Sequence, residues 1–141
     1  MKKLIVILLL VVIIFTLAAC GNASLVGRWE VTRIVAVASG GLESAVQNAI
    51  ASGTLTYTYQ FFRDGRLSIT MRTTHANGSH TTEVVWMNWS RDGDILQTWD
   101  PNMAGSVRSA SYQISGLRLL GRQQLVIRPS IGESFYFRRL P

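Results

Sequence analysis

The stretch TLTYTYQFFRDGRLSITMR, residues 54–72, is the strongest indication of fold in this sequence. Apolar side chains occupy every second position on both sides of its centre: Leu55, Tyr57, Tyr59 and Phe61 before it, and Leu67, Ile69 and Met71 after it. This period of two is typical of β-strands with one buried face. At the centre, the Asp64-Gly65 pair supplies the positive φ that a tight turn needs. The stretch therefore predicts a β-hairpin.

The same alternation recurs on both sides of the hairpin. Further strands are expected over residues 26–38, 81–89, 94–99, 107–115, 123–128 and 133–139. On the first of these strands, one face is expected to carry Trp29, Val31, Arg33, Val35 and Val37. Consecutive strands joined by tight turns pair antiparallel with their neighbours, and eight such strands can close into a barrel.

One segment has a different period. Residues 42–51 place Leu42, Ala45, Val46, Ala49 and Ile50 at helical spacing, with polar residues on the other side. This spacing predicts a short amphipathic helix, which either caps one mouth of the barrel or packs on its outer wall. The fold class is thus all-β: an antiparallel up-and-down β-barrel of about eight strands with one short helix after the first strand.

The N-terminal segment has the order of a secretory signal. Lys2 and Lys3 precede an apolar run over residues 4–17, and Leu17-Ala18-Ala19-Cys20-Gly21 follows. The run is shorter than the roughly 20 residues that span a bilayer core, so an uncleaved anchor helix is the lesser alternative.

This segment resembles the signal peptide of bacterial lipoproteins, whose lipobox ends in a lipid-modified cysteine. The resemblance implies cleavage of residues 1–19 and a diacylglycerol thioether on Cys20, with acyl chains such as palmitate. Residues 20–25 would be a lipidated tether and residues 26–141 one domain. The protein would then be held on the extracytoplasmic face of the cell membrane, or on the outer membrane if the host has one.

The order of short motifs after residue 24 is similar to that of bacterial lipocalin-like lipoprotein domains. The motifs are Leu25-Val26-Gly27-Arg28-Trp29, Tyr59 to Gly65, Trp89 with Gly93-Asp94-Ile95-Leu96, Tyr112-Gln113-Ile114, Leu125-Val126-Ile127 and Phe135-Tyr136-Phe137-Arg138. The resemblance covers nearly all of residues 25–140. It implies a small lipocalin-like β-barrel, and it implies fold more strongly than activity.

The charge pattern argues against nucleic acid as a partner. Both lysines lie in the leader, and the rest of the chain has 12 scattered arginines against eight acidic residues, a net charge of +4. Nucleic-acid-binding domains show clustered cations with interleaved aromatics instead. A weak attraction to anionic lipid head groups or cell-wall polymers is one interpretation. A simply solvated basic surface is the other.

No motif predicts catalysis, a metal or a cofactor. His75 and His80 flank the Asn77-Gly78 turn, but a zinc site needs three or four ligands and no clear third ligand is present. No serine lies in a Gly-x-Ser-x-Gly elbow, and no pair of carboxylates is apparent. The protein is therefore not expected to be an enzyme.

The aromatic residues on the strands are the remaining functional signal. Inward-facing members would line the barrel, and the candidates for ligand contact are Trp29, Tyr57, Tyr59, Phe61, Trp86, Tyr112, Phe135 and Phe137. We therefore expect a membrane-anchored binder of one small hydrophobic or amphipathic ligand. The alternative is that these rings fill a solid core, in which case the protein is an envelope structural or protein-interaction module.

Overall fold

The computed structural model describes residues 24–35, 41–116, 121–130 and 132–141, with the side chains of residues 41–43 excepted. Eight antiparallel strands close into a barrel in the order β1 to β8, with one helix after β1. The elements are β1 Gly27–Val35, α1 Gly41–Ala51, β2 Leu55–Phe61, β3 Arg66–Thr74, β4 His80–Asp92, β5 Ile95–Trp99, β6 Arg108–Ser115, β7 Gln124–Pro129 and β8 Ser134–Arg139. The predicted fold class is confirmed. The signal peptide predicted for residues 1–19 and the lipidation predicted at Cys20 lie outside the described residues.

The hairpin predicted over residues 54–72 forms as expected. β2 and β3 pair from Leu55 opposite Thr73 to Phe61 opposite Leu67. In the turn, Gly65 has a φ of +86°, which an L-residue rarely adopts. The Asp64 carboxylate accepts a hydrogen bond from the backbone N–H of Arg66 at 3.1 Å and pairs with its guanidinium. The Arg66 bonds lower the pKa of the Asp64 carboxyl.

The first strand departs from the predicted alternation. Val31 lies opposite Phe137 but Arg33 lies opposite Tyr136, so β1 carries one extra residue in a β-bulge. The bulge reverses the alternation beyond it. Ile34 packs against the core, whereas Val35 is 38% exposed and Arg33 stacks over the Tyr136 ring. The expected shared face of Trp29, Arg33 and Val35 was therefore wrong, and Val37 lies outside the described residues.

The up-and-down order gives the barrel two ends of different construction. The closed end carries the start of β1, the β2–β3 and β4–β5 turns and the end of β8. The open end carries α1, the β3–β4 hairpin and the segments over residues 100–107 and 132–133. Here α1 contacts β1 and β2, and Gln47 accepts a hydrogen bond from the Ile34 N–H at 3.0 Å. On α1, Ile50 packs against the buried core of the barrel.

The closed end is sealed by a plug, which we define as Leu25, Trp29, Gln123 and Arg139. The first three are buried, and the Trp29 Nε1 donates to the Leu25 carbonyl at 2.8 Å. The Arg139 guanidinium lies 5.0 Å from the centre of the Trp29 ring. It donates to the Gln123 Oε1 and to two backbone carbonyls near the N-terminus. Leu25, which the sequence assigned to the tether, is thus part of the core.

β4 is longer than its partner on one side. Residues 88–92 pair with β5, while residues 80–87 pair only with β3 among the described residues. This leaves one edge of β4 without a strand partner in the part of the chain that the structure describes. Val84, Val85 and Trp86, on that segment, are about half exposed. Within the described residues, no helix is long and apolar enough to cross a membrane.

Candidate functional site

A cavity of about 900 Å³ occupies the barrel between the closed-end core and the open end. Its wall includes Tyr59 and Phe61 from β2 and Leu67 and Ile69 from β3. Phe61 and Leu67 are almost fully buried and form part of both the core and the cavity wall. The cavity therefore lies directly above the closed-end core.

The wall of the cavity is mainly apolar. Its members come from β2 to β8: Tyr59, Phe61, Leu67, Ile69, Met87, Leu96, Thr98, Ala110, Ile127, Phe135 and Phe137. The rings are fixed against one another, because Tyr59 and Phe137 meet edge to face with centroids 4.9 Å apart. Such a wall recognises an apolar group by area and shape rather than by hydrogen bonds.

Two loops form the mouth. The loop over residues 100–107 is held by Asp100, whose N–H donates to the Ser106 Oγ at 2.9 Å and whose carbonyl accepts from that hydroxyl at 3.1 Å. The Asp100 carboxylate also accepts the Asn102 N–H at 2.8 Å. These bonds position Met103 and Val107, which line the cavity but are 62% and 59% exposed. The mouth thus presents apolar side chains to solvent.

Charged groups are confined to the same mouth. Asp100, Arg108 and Glu133 line the cavity there, together with Ser106, Ser109 and Ser130. Tyr59 lies deeper, opposite Trp29 of the plug, whereas Thr98 lies level with Arg108. Polarity therefore increases from the closed end toward the mouth, which is the arrangement that an amphipathic molecule fits with its apolar end inward.

Tyr59 is harder to ionise than an ordinary tyrosine. Burial, and to a lesser extent the nearby Tyr57, raises the pKa of Tyr59 to about 12. The phenol stays protonated across the physiological range, so it can donate a hydrogen bond to an oxygen on a bound molecule.

The eight aromatic residues predicted to contact a ligand fall into three groups. Tyr59, Phe61, Phe135 and Phe137 line the cavity. Trp29 belongs to the plug, Tyr57 packs partly buried against the core, and the Tyr112 hydroxyl donates to the Gly93 carbonyl at the closed end. These last three are interior residues that lie apart from the cavity wall.

Trp86 is on the outside of the barrel, so its predicted place in the interior was wrong. It pairs with Ser68, whose neighbours Leu67 and Ile69 line the cavity on the opposite face of β3. Its ring stacks on Phe62 with centroids 5.8 Å apart and is half exposed. Residues 84–87 of β4 are apolar on both faces, so the alternation there could not distinguish inside from outside.

Sequence reasoning missed the non-aromatic half of the site. Ile69, Met87, Leu96 and Ile127 lie at alternate positions of predicted strands, so the period of two already carried this signal. The residues at the mouth gave no such signal, because a loop has no period that fixes which of its side chains turn toward the barrel.

The two histidines lie on opposite sides of the β3–β4 hairpin and each contacts a threonine. The His75 Nε2 lies 2.6 Å from the Thr81 Oγ1, and the His80 Nδ1 lies 3.1 Å from the Thr74 Oγ1. Within the described residues, no group of three His, Cys, Asp or Glu side chains is placed to hold a metal ion.

Comparison with known proteins gives no match: no protein-family model, curated protein or solved structure is significantly similar to this chain. Inference about function therefore rests on the geometry of the barrel and on the sequence.

Proposed function

We propose that the protein is a membrane-anchored extracytoplasmic lipoprotein whose barrel binds one small hydrophobic or amphipathic molecule. The observation that carries this proposal is the cavity of about 900 Å³. Ligand sites in proteins are typically clefts of about 300–1,000 Å³ with apolar walls and a few placed polar groups. No catalytic step and no cofactor form part of the proposal.

The fold supports the same function. A closed antiparallel barrel of eight strands is wide enough to hold one small ligand, as in the lipocalin-like domains that the motif order resembles. The apolar wall suits an acyl or aromatic group, and the charged mouth near Arg108 suits a polar head group.

The location is proposed from the sequence. Cys20 follows a charged start, an apolar run and two alanines, as a lipobox cysteine does. Two acyl chains on one cysteine would give stable anchoring, because one chain alone binds a bilayer only marginally. The bilayer is the partner that this modification implies.

Native mass spectrometry of residues 21–141, purified without detergent, tests the ligand. We expect a reproducible adduct of small-molecule mass that is lost on denaturation. A fluorescent polyene fatty acid then measures affinity. Ala110→Trp places an indole in the cavity and should weaken binding by about tenfold or more, since overpacking costs roughly 1–3 kcal/mol.

Gln113→Trp is the matched control, because it adds the same side chain to an exposed position of the same strand. Equal binding by the two variants would place the ligand outside the barrel. A chain without an adduct that also fails to bind the fatty acid would contradict the proposal.

A second candidate is a protein-interaction module, and the free edge of β4 favours it. The backbone groups of residues 80–87 have no strand partner on one side in the described residues, and Val84 and Val85 are 49% and 55% exposed. Exposed strand edges of this kind accept an extended peptide from another chain. A chain that binds no small molecule in the test above would favour this alternative.

A further inference from the structure

Five exposed arginines gather on one side of the closed end. We call this set the basic rim: Arg28, Arg63, Arg66, Arg122 and Arg138. Two carboxylates lie among them. Asp64 pairs with Arg66, and Glu30 accepts a hydrogen bond from the Arg138 Nε at 2.7 Å. The basic rim with these two partners keeps a net charge of +3.

The barrel topology brings these residues together from distant parts of the sequence. Gly27 at the start of β1 pairs with Phe61 beside the β2–β3 turn, and Gln124 at the start of β7 pairs with Arg138 near the end of β8. The Leu140 N–H then donates to the Arg28 carbonyl at 2.9 Å. The basic rim is therefore one continuous surface across β7, β8, β1, β2 and β3.

The remaining charges of the described residues sum to zero when Arg139 of the plug is counted, with six arginines and six carboxylates. On the opposite side of the closed end, Arg91 neighbours Asp92 and Asp94 in the β4–β5 hairpin. The open half contains Arg33, Arg72, Arg108 and Arg128 together with Glu83, Asp100, Glu133 and, by its position in α1, Glu43. The net positive charge of the described residues is thus concentrated on the basic rim.

An aromatic pair borders the basic rim. Phe62 follows β2 at the turn, and its ring stacks on the half-exposed Trp86. The Arg66 guanidinium lies over both rings, 5.4 Å and 5.6 Å from their centres. Tryptophan and arginine together are characteristic of surfaces at the lipid–water interface, where one part of the side chain is apolar and another is hydrated.

The N-terminal chain leaves the barrel at this same place. Arg139 donates to the carbonyls of Ser24 and Val26 at 3.0 Å and 2.7 Å, which fixes the start of the described chain beside the basic rim. Three residues separate Cys20 from Ser24, and the four steps from one residue to the next span at most about 14 Å even in a fully extended chain. A lipid on Cys20 therefore holds the closed end, not the open end, near the bilayer.

We infer that the basic rim docks on the anionic head groups of the bilayer that anchors Cys20, with the mouth of the barrel turned away. The inference rests on the lipid anchor of the proposed function. Each arginine near an anionic surface strengthens docking by about fivefold at physiological salt. The attraction is screened beyond about 8 Å, so it acts only on the end that the tether keeps close.

The orientation is measured with the full chain, produced in a bacterial host and reconstituted into vesicles of phosphatidylcholine and phosphatidylglycerol. Gln124→Cys places a thiol on the basic rim and Thr82→Cys places one on the open half, both at exposed positions. Each thiol carries a polarity-sensitive fluorophore. We expect spin-labelled lipid to quench the label at position 124 several-fold more strongly than the label at position 82, and aqueous iodide to do the reverse.

Charge variants separate docking from anchoring. Arg63→Gln with Arg122→Gln should weaken docking by roughly 25-fold and reduce the quenching difference. Arg72→Gln with Arg128→Gln removes the same charge from the open half and should leave the difference unchanged. Vesicles of phosphatidylcholine alone should act like the first pair of substitutions.

Each outcome decides the inference. If the chain floats with vesicles but both labels are quenched equally, or position 82 more, the docking surface is wrong and the ligand-binding proposal stands. If the unsubstituted chain does not float with vesicles, or its Cys20 reacts with the fluorophore, the lipid anchor and the docking surface are both wrong. In that case the cavity test still decides ligand binding.

Discussion

Loss of Arg139 tests how the closed end is held together. Arg139 is partly buried and donates to the Gln123 Oε1 at 2.9 Å and to the carbonyls of Ser24 and Val26, while its guanidinium covers Trp29. Arg139→Met keeps most of the apolar stem and removes every donor. The neighbouring Arg138→Met is the control, because that side chain is 65% exposed and pairs with Glu30.

The expected magnitudes differ clearly. A hydrogen bond from a charged donor contributes about 1.5–3 kcal/mol, and the buried Gln123 would be left without this donor, at a cost of about 1–3 kcal/mol. Allowing for water at the partly exposed carbonyls, we expect Arg139→Met to lower the free energy of unfolding by about 3–5 kcal/mol. Exposed ion pairs contribute about 0.2–1 kcal/mol, so Arg138→Met should cost less than that upper value.

Urea unfolding of residues 21–141, followed by circular dichroism, measures both variants. With a slope of about 2 kcal/mol/M, Arg139→Met should move the midpoint down by roughly 1.5–2.5 M. Equal midpoints for the two variants would refute the reasoning, since the plug would then contribute no more than a surface ion pair. An altered slope in Arg139→Met would instead show that the native end had already opened.

Two further predictions concern single residues. At Gly27, where φ is +135°, a Cβ would come 2.7 Å from the Arg139 Nη2, whereas at Gly78, with φ +82°, it would meet no atom within 4 Å. Gly27→Ala should therefore lower the free energy of unfolding by at least about 1 kcal/mol more than Gly78→Ala does. Equal effects in urea unfolding would contradict the fixed position of Arg139. The pKa of Tyr59 is raised to about 12 in the fold, so its contribution is complete below its ordinary value of 10.0 and is lost as the pH rises through the interval between them. Urea titrations at pH values below and within that interval should show a loss of up to about 2–3 kcal/mol that is absent in Tyr59→Phe, and identical pH dependence of the two proteins would disprove the burial of the phenol.

Much of the barrel could be predicted because its signals are local. The hairpin of residues 54–72 needs only alternation and one Asp-Gly turn, and the other strands repeat that pattern. The bulge in β1 could not be predicted, because the extra residue is defined by pairing with Tyr136, more than one hundred positions away. Local signals thus set the strands, while the register across the closure of the barrel sets which side chains face inward.

The candidate site could likewise be predicted only in part. Four of the eight proposed aromatic residues line the cavity, since they lie on strands with one clear apolar face. Trp86 does not line the cavity. Its side of the sheet could not be predicted, because Val84 and Val85 beside it make both faces of β4 apolar. The cavity itself could not be predicted from the sequence either. A barrel is hollow only if the inward side chains of all its strands have too small a total volume to fill it.

Because of the plug, the barrel interior opens to solvent at one end only. A molecule seated above Phe61 and Leu67 has the sealed floor behind it and has to leave through the mouth by which it arrived. An incoming molecule cannot push the resident one out from the far side, so exchange waits for spontaneous departure. The rate of exchange would then be independent of the concentration of the incoming molecule. A protein or membrane that received the bound molecule would have to contact the mouth of the barrel.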